Sequence, residues 1–142
     1  MQSLGYDYLA GVRLRSLIDL DVLGRDHAML KDNIFQKIID KQIPATIVYE
    51  DGSCVAFRDV NPQAPTHVLI VPRKAIATHA DVTEADRELI GHLHLVANKL
   101  AREFGLDDGY RIVINCKDRG GQTVPHLHFH LMGGRDFHWP PG

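Results

Sequence analysis

The chain has 142 residues, a length that predicts one domain able to bury its own core. Its 44% hydrophobic and 24% charged residues are ordinary for a globular protein, and a net charge of −2 excludes a broad electrostatic grip on nucleic acid or anionic lipid. Two cysteines are too few for a disulfide framework, and no apolar run approaches the roughly 18 residues of a membrane span. We therefore expect a cytoplasmic protein with no nucleic-acid or membrane partner.

The first 30 residues differ in pattern from the rest. Residues 1–28 hold three arginines, which leaves organellar targeting open, but also four aspartates, in which transit peptides are poor. They lack the long apolar core of a secretory signal. We expect residues 1–30 to be a poorly ordered extension and residues 31–142 to form the domain.

Helix and strand signals alternate from Lys31 onward. The predicted elements are a short helix capped by Asp32 or Asn33, strands at 46–50, 53–58 and 66–71, a long helix from Thr83 to about Phe104, and strands at 110–115 and 127–132. Asp51-Gly52 is a hairpin signal, Thr83 with Asp86 resembles a capping box, and Gly105 is a helix stop. Because tight connections join consecutive strands, we expect an α+β fold with about five antiparallel strands, one long helix and one short helix.

Three histidines alternate with apolar residues near the C-terminus. Alternate side chains of a strand share one face, so His126, His128 and His130 should line one face, about 6.5 Å apart at the backbone. Leu127 and Phe129 should then enter the core. This pattern predicts a strand with one apolar face and one chemically active face.

Several interpretations of these histidines compete. A solvated face would be served equally well by other polar residues, and a purely structural network is a second alternative. In a zinc site His126 and His130 would lie about 13 Å apart along the strand, too far for one ion to reach all three rings. A catalytic cluster uses more of the sequence, because neutral imidazole is a nucleophile at neutral pH and its neighbours can hold the tautomer or donate protons. Gly120-Gly121, a few residues upstream, would let backbone N–H groups approach a phosphate. We therefore expect catalysis with no metal and no cofactor.

The segment from His126 to Met132 resembles the signature of the histidine triad (HIT) family. The resemblance runs from about residue 31 to 142, and five segments are similar to the histidine triad nucleotide-binding branch: 32–44, 57–67, 109–111, 120–122 and the terminal Trp-Pro-Pro-Gly at 139–142. It implies the HIT-like fold, a homodimer and purine nucleoside phosphoramidase activity. In that activity the P–N bond of an adenosine phosphoramidate is cleaved through a nucleotidyl-histidine intermediate, and AMP is released. GMP phosphoramidates and acyl-adenylates are further implied substrates.

The resemblance also implies a role for each residue of the site. His128 is the nucleophile, His126 and His67 support and orient it, and His130 lies against the phosphate. The implied nucleotide contacts are a base slot of Ile34, Phe35, Ile38, Ile43 and Phe57, a ribose site of Asp59 and Val60, and a phosphate loop of Asn115, Gly121, Gln122 and Thr123. Without the resemblance, the slot residues are ordinary core residues.

Two regions bear on the implied homodimer. Trp139, a large aromatic side chain among prolines, is expected to be held near the site or across the dimer and to tune substrate choice. Apolar residues of the long helix supply either the dimer interface or a face packed inside one subunit: Leu89, Ile90, Leu93, Val96 and Ala97.

Two other functions stay open from the sequence. One is a dinucleoside polyphosphate hydrolase of the same superfamily, against which the terminal Trp-Pro-Pro-Gly favours the phosphoramidase branch. The other is a non-catalytic nucleotide-sensing adaptor module, which would need nucleotide binding but no turnover.

Overall fold

A five-stranded antiparallel sheet in the order β1-β2-β3-β5-β4 organises the chain. The computed structural model describes residues 33–142, so the predicted extension lies outside the described residues. The elements in chain order are α1 (Ile34–Ile39), β1 (Ile47–Glu50), β2 (Cys54–Arg58), β3 (Thr66–Pro72), α2 (Arg87–Glu103), β4 (Tyr110–Val113) and β5 (Phe129–Gly133). The predicted α+β fold, with one long and one short helix, is confirmed. Neither helix of the described part is long and apolar enough to cross a membrane.

The two faces of the sheet pack against different helices. Ala56, Ile70 and Leu131 lie on the face that packs against α2, in the larger core cluster. Phe57 and Leu69 lie on the opposite face, in a smaller cluster with α1. Because Leu69 pairs with both Phe57 and His130 across the sheet, and paired residues share a face, His130 lies on the α1 side.

Both helices begin where the sequence predicts a cap. The side-chain oxygen of Asn33 accepts the backbone N–H of Gln36 at 2.8 Å, so Asn33 rather than Asp32 caps α1. Thr83 and Asp86 form the predicted capping box, around a 3₁₀ turn that precedes α2. Gly105 follows α2 with a φ of 70°, a left-handed conformation that favours glycine and ends the helix.

The apolar face of α2 packs inside the subunit. Leu93, Val96 and Ala97 are buried in the larger core cluster, and Leu89 and Ile90 pack against it. Of the two alternatives for these five residues, internal packing is therefore the one that the structure adopts.

The strand predicted at 127–132 begins later than expected. β5 starts at Phe129, so His126 and His128 precede it, and the prediction that all three histidines lie on one strand is wrong. The backbone N–H of His126 donates to Val124 and that of Leu127 to Ile76, so both bond to loops rather than to a neighbouring strand. Pro125 has no N–H to donate to a ladder.

Replacement of Leu93 by Ala should destabilise the domain by about 2–5 kcal/mol, because Leu93 is fully buried and the truncation leaves a cavity between α2 and the sheet. Chemical denaturation measures the loss. Glu88→Ala, at an exposed position of the same helix, is the control and should change the free energy of unfolding by less than about 0.5 kcal/mol. Equal effects from the two substitutions would contradict this packing.

Candidate active site

His128 is buried, with 3% of its surface exposed, and has a defined tautomer. Its Nδ1 lies 2.7 Å from the backbone carbonyl oxygen of His126. A carbonyl only accepts, so Nδ1 carries the proton and donates it. The neutral ring therefore holds its lone pair on Nε2, which is the atom available for nucleophilic attack.

The ring of His126 is anchored at both nitrogens. Its Nε2 lies 2.8 Å from the carbonyl oxygen of Pro72, and its Nδ1 lies 3.2 Å from the side-chain nitrogen of Asn33. Nε2 therefore donates and Nδ1 accepts. Since both ring nitrogens are engaged, His126 acts on His128 through its backbone carbonyl rather than through its imidazole.

His67 and His130 form a hydrogen-bonded pair across β3 and β5. The backbone N–H of Gln63 donates to Nδ1 of His67 at 3.0 Å, which places the proton of His67 on Nε2. That Nε2 lies 2.9 Å from Nδ1 of His130 and donates to it, so His130 carries its own proton on Nε2. The rings of His128 and His130 lie 5.0 Å apart. The structure thus hydrogen-bonds His67 to His130, whereas the family resemblance implied that His67 supports and orients His128.

All four rings are held in the neutral form. Burial, with a smaller contribution from the neighbouring His130, lowers the pKa of His128 to about 3. Burial also lowers the pKa of His67 and of His130 to about 4. Burial lowers the pKa of His126 too, although the hydrogen bond to Pro72 opposes that shift. At neutral pH the lone pair on His128 is therefore available without prior deprotonation.

The proposed base-slot residues lie mostly in the core. Phe35 packs edge-on against the His128 ring, with centroids 4.9 Å apart, and against Phe57 at 5.5 Å. Four of the slot residues are at most 2% exposed: Ile34, Phe35, Ile38 and Phe57. Ile43 is only partly buried, and Val60, expected beside the ribose, is exposed. The structure thus brings Phe35 to the ring of His128 and packs its buried neighbours in the core.

Asp59, expected at the ribose, lies beside the histidine pair. One carboxylate oxygen accepts the backbone N–H of Asn61 at 2.8 Å, and the other lies 3.5 Å from Nε2 of His67. Burial raises the pKa of this carboxyl group. Donor atoms of Asp59, His67 and His130 all lie within 4.8 Å of one another. Two imidazoles and a carboxylate suit zinc, so this donor set fits a metal that the histidine segment alone does not accommodate.

The loop expected to hold phosphate, at residues 115–123, forms most of its hydrogen bonds between its own residues. The backbone N–H groups of Gly120 and Gly121 donate to Lys117 and Asp118, so the expectation that this glycine pair presents N–H groups to a phosphate is not met. Gln122 braces the loop: its oxygen accepts from Lys117 and its nitrogen donates to Ala77 and Val124. Asn115 and Thr123 are part-exposed beside this brace.

The C-terminal tail leaves Trp139 exposed. The side chain is 83% exposed, so within this subunit it is not held against the site as the sequence predicted. The tail is tied instead through Arg111, which donates to the carbonyl oxygen of His138 at 2.9 Å and stacks on Phe137.

Known proteins are similar to this chain in sequence and in fold. The model of the HIT domain matches residues 40–137. An uncharacterised HIT-like protein of Synechococcus elongatus is 54% identical over 114 residues, which are 80% of this chain and all of that protein. The 14 kDa zinc-binding protein of Zea mays is 52% identical over 111 residues, 77% of this chain and 87% of that protein. The crystal structure of a HIT family hydrolase from Legionella pneumophila, 53% identical, superposes with a TM-score of 0.76 over 77% of this chain and 98% of the other.

The chain belongs to the HIT family. Its histidine triad is accordingly His126, His128 and His130. The contacts that fix the triad include groups that the sequence motif does not show: the Asn33 amide, the Pro72 carbonyl and the Gln63 N–H. Asn33 and Gln63 both lie in segments that resemble the family, but nothing in the sequence signals that Asn33, Gln63 and Pro72 contact histidine rings.

The neutral histidines of the site should make stability depend on pH. Unfolded histidines bind protons below about pH 6.5, whereas the folded pKa values of His67, His128 and His130 are about 4, 3 and 4. Since the unfolded chain binds more protons, stability should fall as pH falls from 6.5 to 4.5, above the usual carboxylate range. Each ring adds a slope of up to about 1.4 kcal/mol per pH unit.

Urea denaturation at several pH values in this window measures the slope. His128→Asn removes one titrating ring and should make the slope shallower, whatever its effect on absolute stability. A free energy of unfolding that stayed constant between pH 6.5 and 4.5 would show that these rings are not buried in the neutral form.

Proposed function

We propose that the chain is a HIT-family nucleotide hydrolase of the nucleotide-binding branch, which cleaves the P–N bond of purine nucleoside phosphoramidates and releases the nucleoside monophosphate. Adenosine 5′-monophosphoramidate is the reference substrate, and GMP phosphoramidates and acyl-adenylates belong to the same class. The observation that carries the proposal is the 2.7 Å hydrogen bond from Nδ1 of His128 to the carbonyl oxygen of His126. It places the lone pair of a neutral ring on Nε2.

The reaction follows in two displacements. Nε2 of His128 attacks phosphorus, the P–N bond to the amine breaks, and a nucleotidyl-imidazolium forms. The amine leaves with one proton taken from solvent. Water then attacks the same phosphorus and the bond to His128 breaks. That water releases one proton to solvent, and His128 returns to the neutral ring with its proton on Nδ1. His130, which holds its proton on Nε2 because Nδ1 accepts from His67, donates a hydrogen bond to the phosphate as charge develops.

The nucleotide is proposed to lie across the α1 side of the sheet. Ile43 supplies apolar surface for the purine. Asp59 accepts from a ribose hydroxyl with the oxygen that faces His67, and the exposed Val60 packs beside the ribose. Asn115 and Thr123 contact the phosphate from the loop. Gly121 donates to Asp118 and Gln122 donates to Ala77, and these bonds hold that loop in place.

A homodimer is proposed for the functional form. β4 lies at one end of the strand order, so among the described residues one side of its backbone ladder is unpaired. Tyr110 on this strand is 40% exposed, and Leu95 on α2 is 65% exposed. Trp139 would then reach the partner rather than its own subunit and tune the choice of leaving group.

A cytoplasmic location fits the redox state of the chain. Cys54 and Cys116 are both free thiols. Free thiols of this kind are typical of a reducing compartment.

Replacement of His128 by Ala should abolish nearly all release of amine from an adenosine phosphoramidate. Binding of AMP should persist, because the base and ribose contacts come from other residues. Rapid quench of the wild-type protein with a labelled substrate should trap an acid-labile nucleotidyl adduct on a peptide that contains His128. His79→Ala, at an exposed histidine outside the triad, is the matched control and should turn over normally.

A label on His126 or His130, or near-normal turnover by His128→Ala, would refute the covalent mechanism. Faster turnover of a diadenosine polyphosphate than of the phosphoramidate would assign the chain to the dinucleoside polyphosphate hydrolases. Nucleotide binding with no turnover of either substrate would support the adaptor function.

Catalysis should need no metal, even though Asp59, His67 and His130 fit zinc, because His128 supplies its nucleophile without a Lewis acid. Extended dialysis against a chelator should leave the rate of amine release unchanged. Added zinc should slow the reaction, since it would engage the nitrogen with which His67 donates to His130. Activity that disappeared in chelator and returned with zinc would overturn this prediction.

A further inference from the structure

Asn33 connects the first turn of α1 to the histidine triad. Its side-chain oxygen accepts the backbone N–H of Gln36 at 2.8 Å, and this bond decides which end of the amide is oxygen. The side-chain nitrogen then faces Nδ1 of His126 at 3.2 Å. Asn33 and His126 are both fully buried, so water does not compete for this contact.

Two hydrogen bonds lead from the amide of Asn33 through His126 to His128, and a third anchors the His126 ring to Pro72. The NH₂ group of Asn33 donates to Nδ1 of His126, which requires that nitrogen to be unprotonated. The proton of the ring is therefore on Nε2 and is donated to Pro72 at 2.8 Å. With its ring fixed at both ends, His126 presents its backbone carbonyl to Nδ1 of His128 at 2.7 Å. The tautomer of His128 depends on that carbonyl.

We propose that Asn33 is a positioning residue for the reaction, which sets the tautomer and orientation of His126 and through it the direction of the His128 lone pair. The proposal rests on the proposed function, in which His128 is the nucleophile. Its bond to His126 joins residues 93 positions apart, so a cap that served α1 alone would not need it.

A purely structural role is the alternative, because an N-cap stabilises its helix. Asn33→Asp separates the two roles. Asp is as good an N-cap as Asn and keeps the oxygen that accepts from Gln36. It replaces the NH₂ donor with an oxygen, which can only accept while ionised, so Nδ1 of His126 must take up a proton to meet it.

Gln36→Gly is the matched control for helix stability. Gln36 lies inside α1, and its backbone N–H still reaches the cap. Within residues 33–142, its side chain bonds only the exposed Asp40. Glycine weakens a helix interior, so the melting temperature should fall while the amide of Asn33 and the triad are untouched.

The experiment combines kinetics with ¹⁵N NMR of the histidine rings. In Asn33→Asp, the rate of His128 nucleotidylation at saturating phosphoramidate should fall about 5–30-fold, the change expected for one or two lost kcal/mol of transition-state stabilisation. The dissociation constant for AMP should stay within about twofold, because its contacts come from other residues. In Gln36→Gly the melting temperature should fall and the rate should stay within about twofold.

The NMR spectra test the first step without any turnover. In the wild type, Nε2 of His126 should carry the proton and Nδ1 should not; in Asn33→Asp, Nδ1 should become protonated. A wild-type His126 with its proton on Nδ1 would overturn the proposal, and so would rates that follow melting temperature in both variants. A wild type that forms no adduct refutes the proposed function instead. The comparison of the His126 tautomer in the wild type and in Asn33→Asp then still decides whether Asn33 sets that tautomer.

Discussion

The arrangement of the site depends on keeping four imidazoles neutral inside a protein. A buried charged ring without a partner would be costly, and three of the four rings place their single proton against an acceptor. His128 donates to a carbonyl, His126 donates to another, and His67 donates to His130. Once these protons are assigned, the lone pair of His128 lies on its Nε2 and the proton of His130 lies on its own Nε2. Burial thus supplies both the chemical state of the site and its directionality.

This solution divides the triad into two systems. His126 belongs to a chain of hydrogen bonds that begins at α1 and ends at His128, whereas His130 ends a chain that begins at Gln63 and passes through His67. The two meet where the His128 and His130 rings lie 5.0 Å apart. The chain through His126 fixes the direction of the His128 lone pair, and the chain through His67 leaves the His130 proton on Nε2. Successive histidines of the triad are nevertheless only two residues apart in sequence.

The sequence predicts the parts of the molecule that depend on local pattern. The cap at Asn33, the hairpin at Asp51-Gly52 and the capping box at Thr83 all form as predicted, because each needs only residues a few positions apart. The strand at 127–132 was placed two residues too early, because the alternation of His126 to Leu131 has strand periodicity, whereas the first of these residues bond to loops.

Contacts between distant segments set the rest of the site. The partner of His67 follows from the pairing of β3 with β5, and no spacing in the chain records it. The second contact of Asn33 crosses 93 residues and gives no signal beyond an ordinary cap. The glycine pair predicts backbone N–H groups that can approach a phosphate, but not that these groups donate to carbonyl oxygens of the same loop.

The sheet also separates two kinds of selection. On the α2 side, residues such as Leu93 and Leu131 pack the larger core cluster, away from the triad rings. Substitutions there alter the free energy of unfolding. On the α1 side, Phe35 touches the nucleophile while it packs the core, so a change there alters both properties together. Over evolutionary time the first face can drift with compensating volume changes. The second must vary in concert with the chemistry, so the buried residues of α1 have to satisfy packing and catalysis at once: Ile34, Phe35, Ile38 and Ile39.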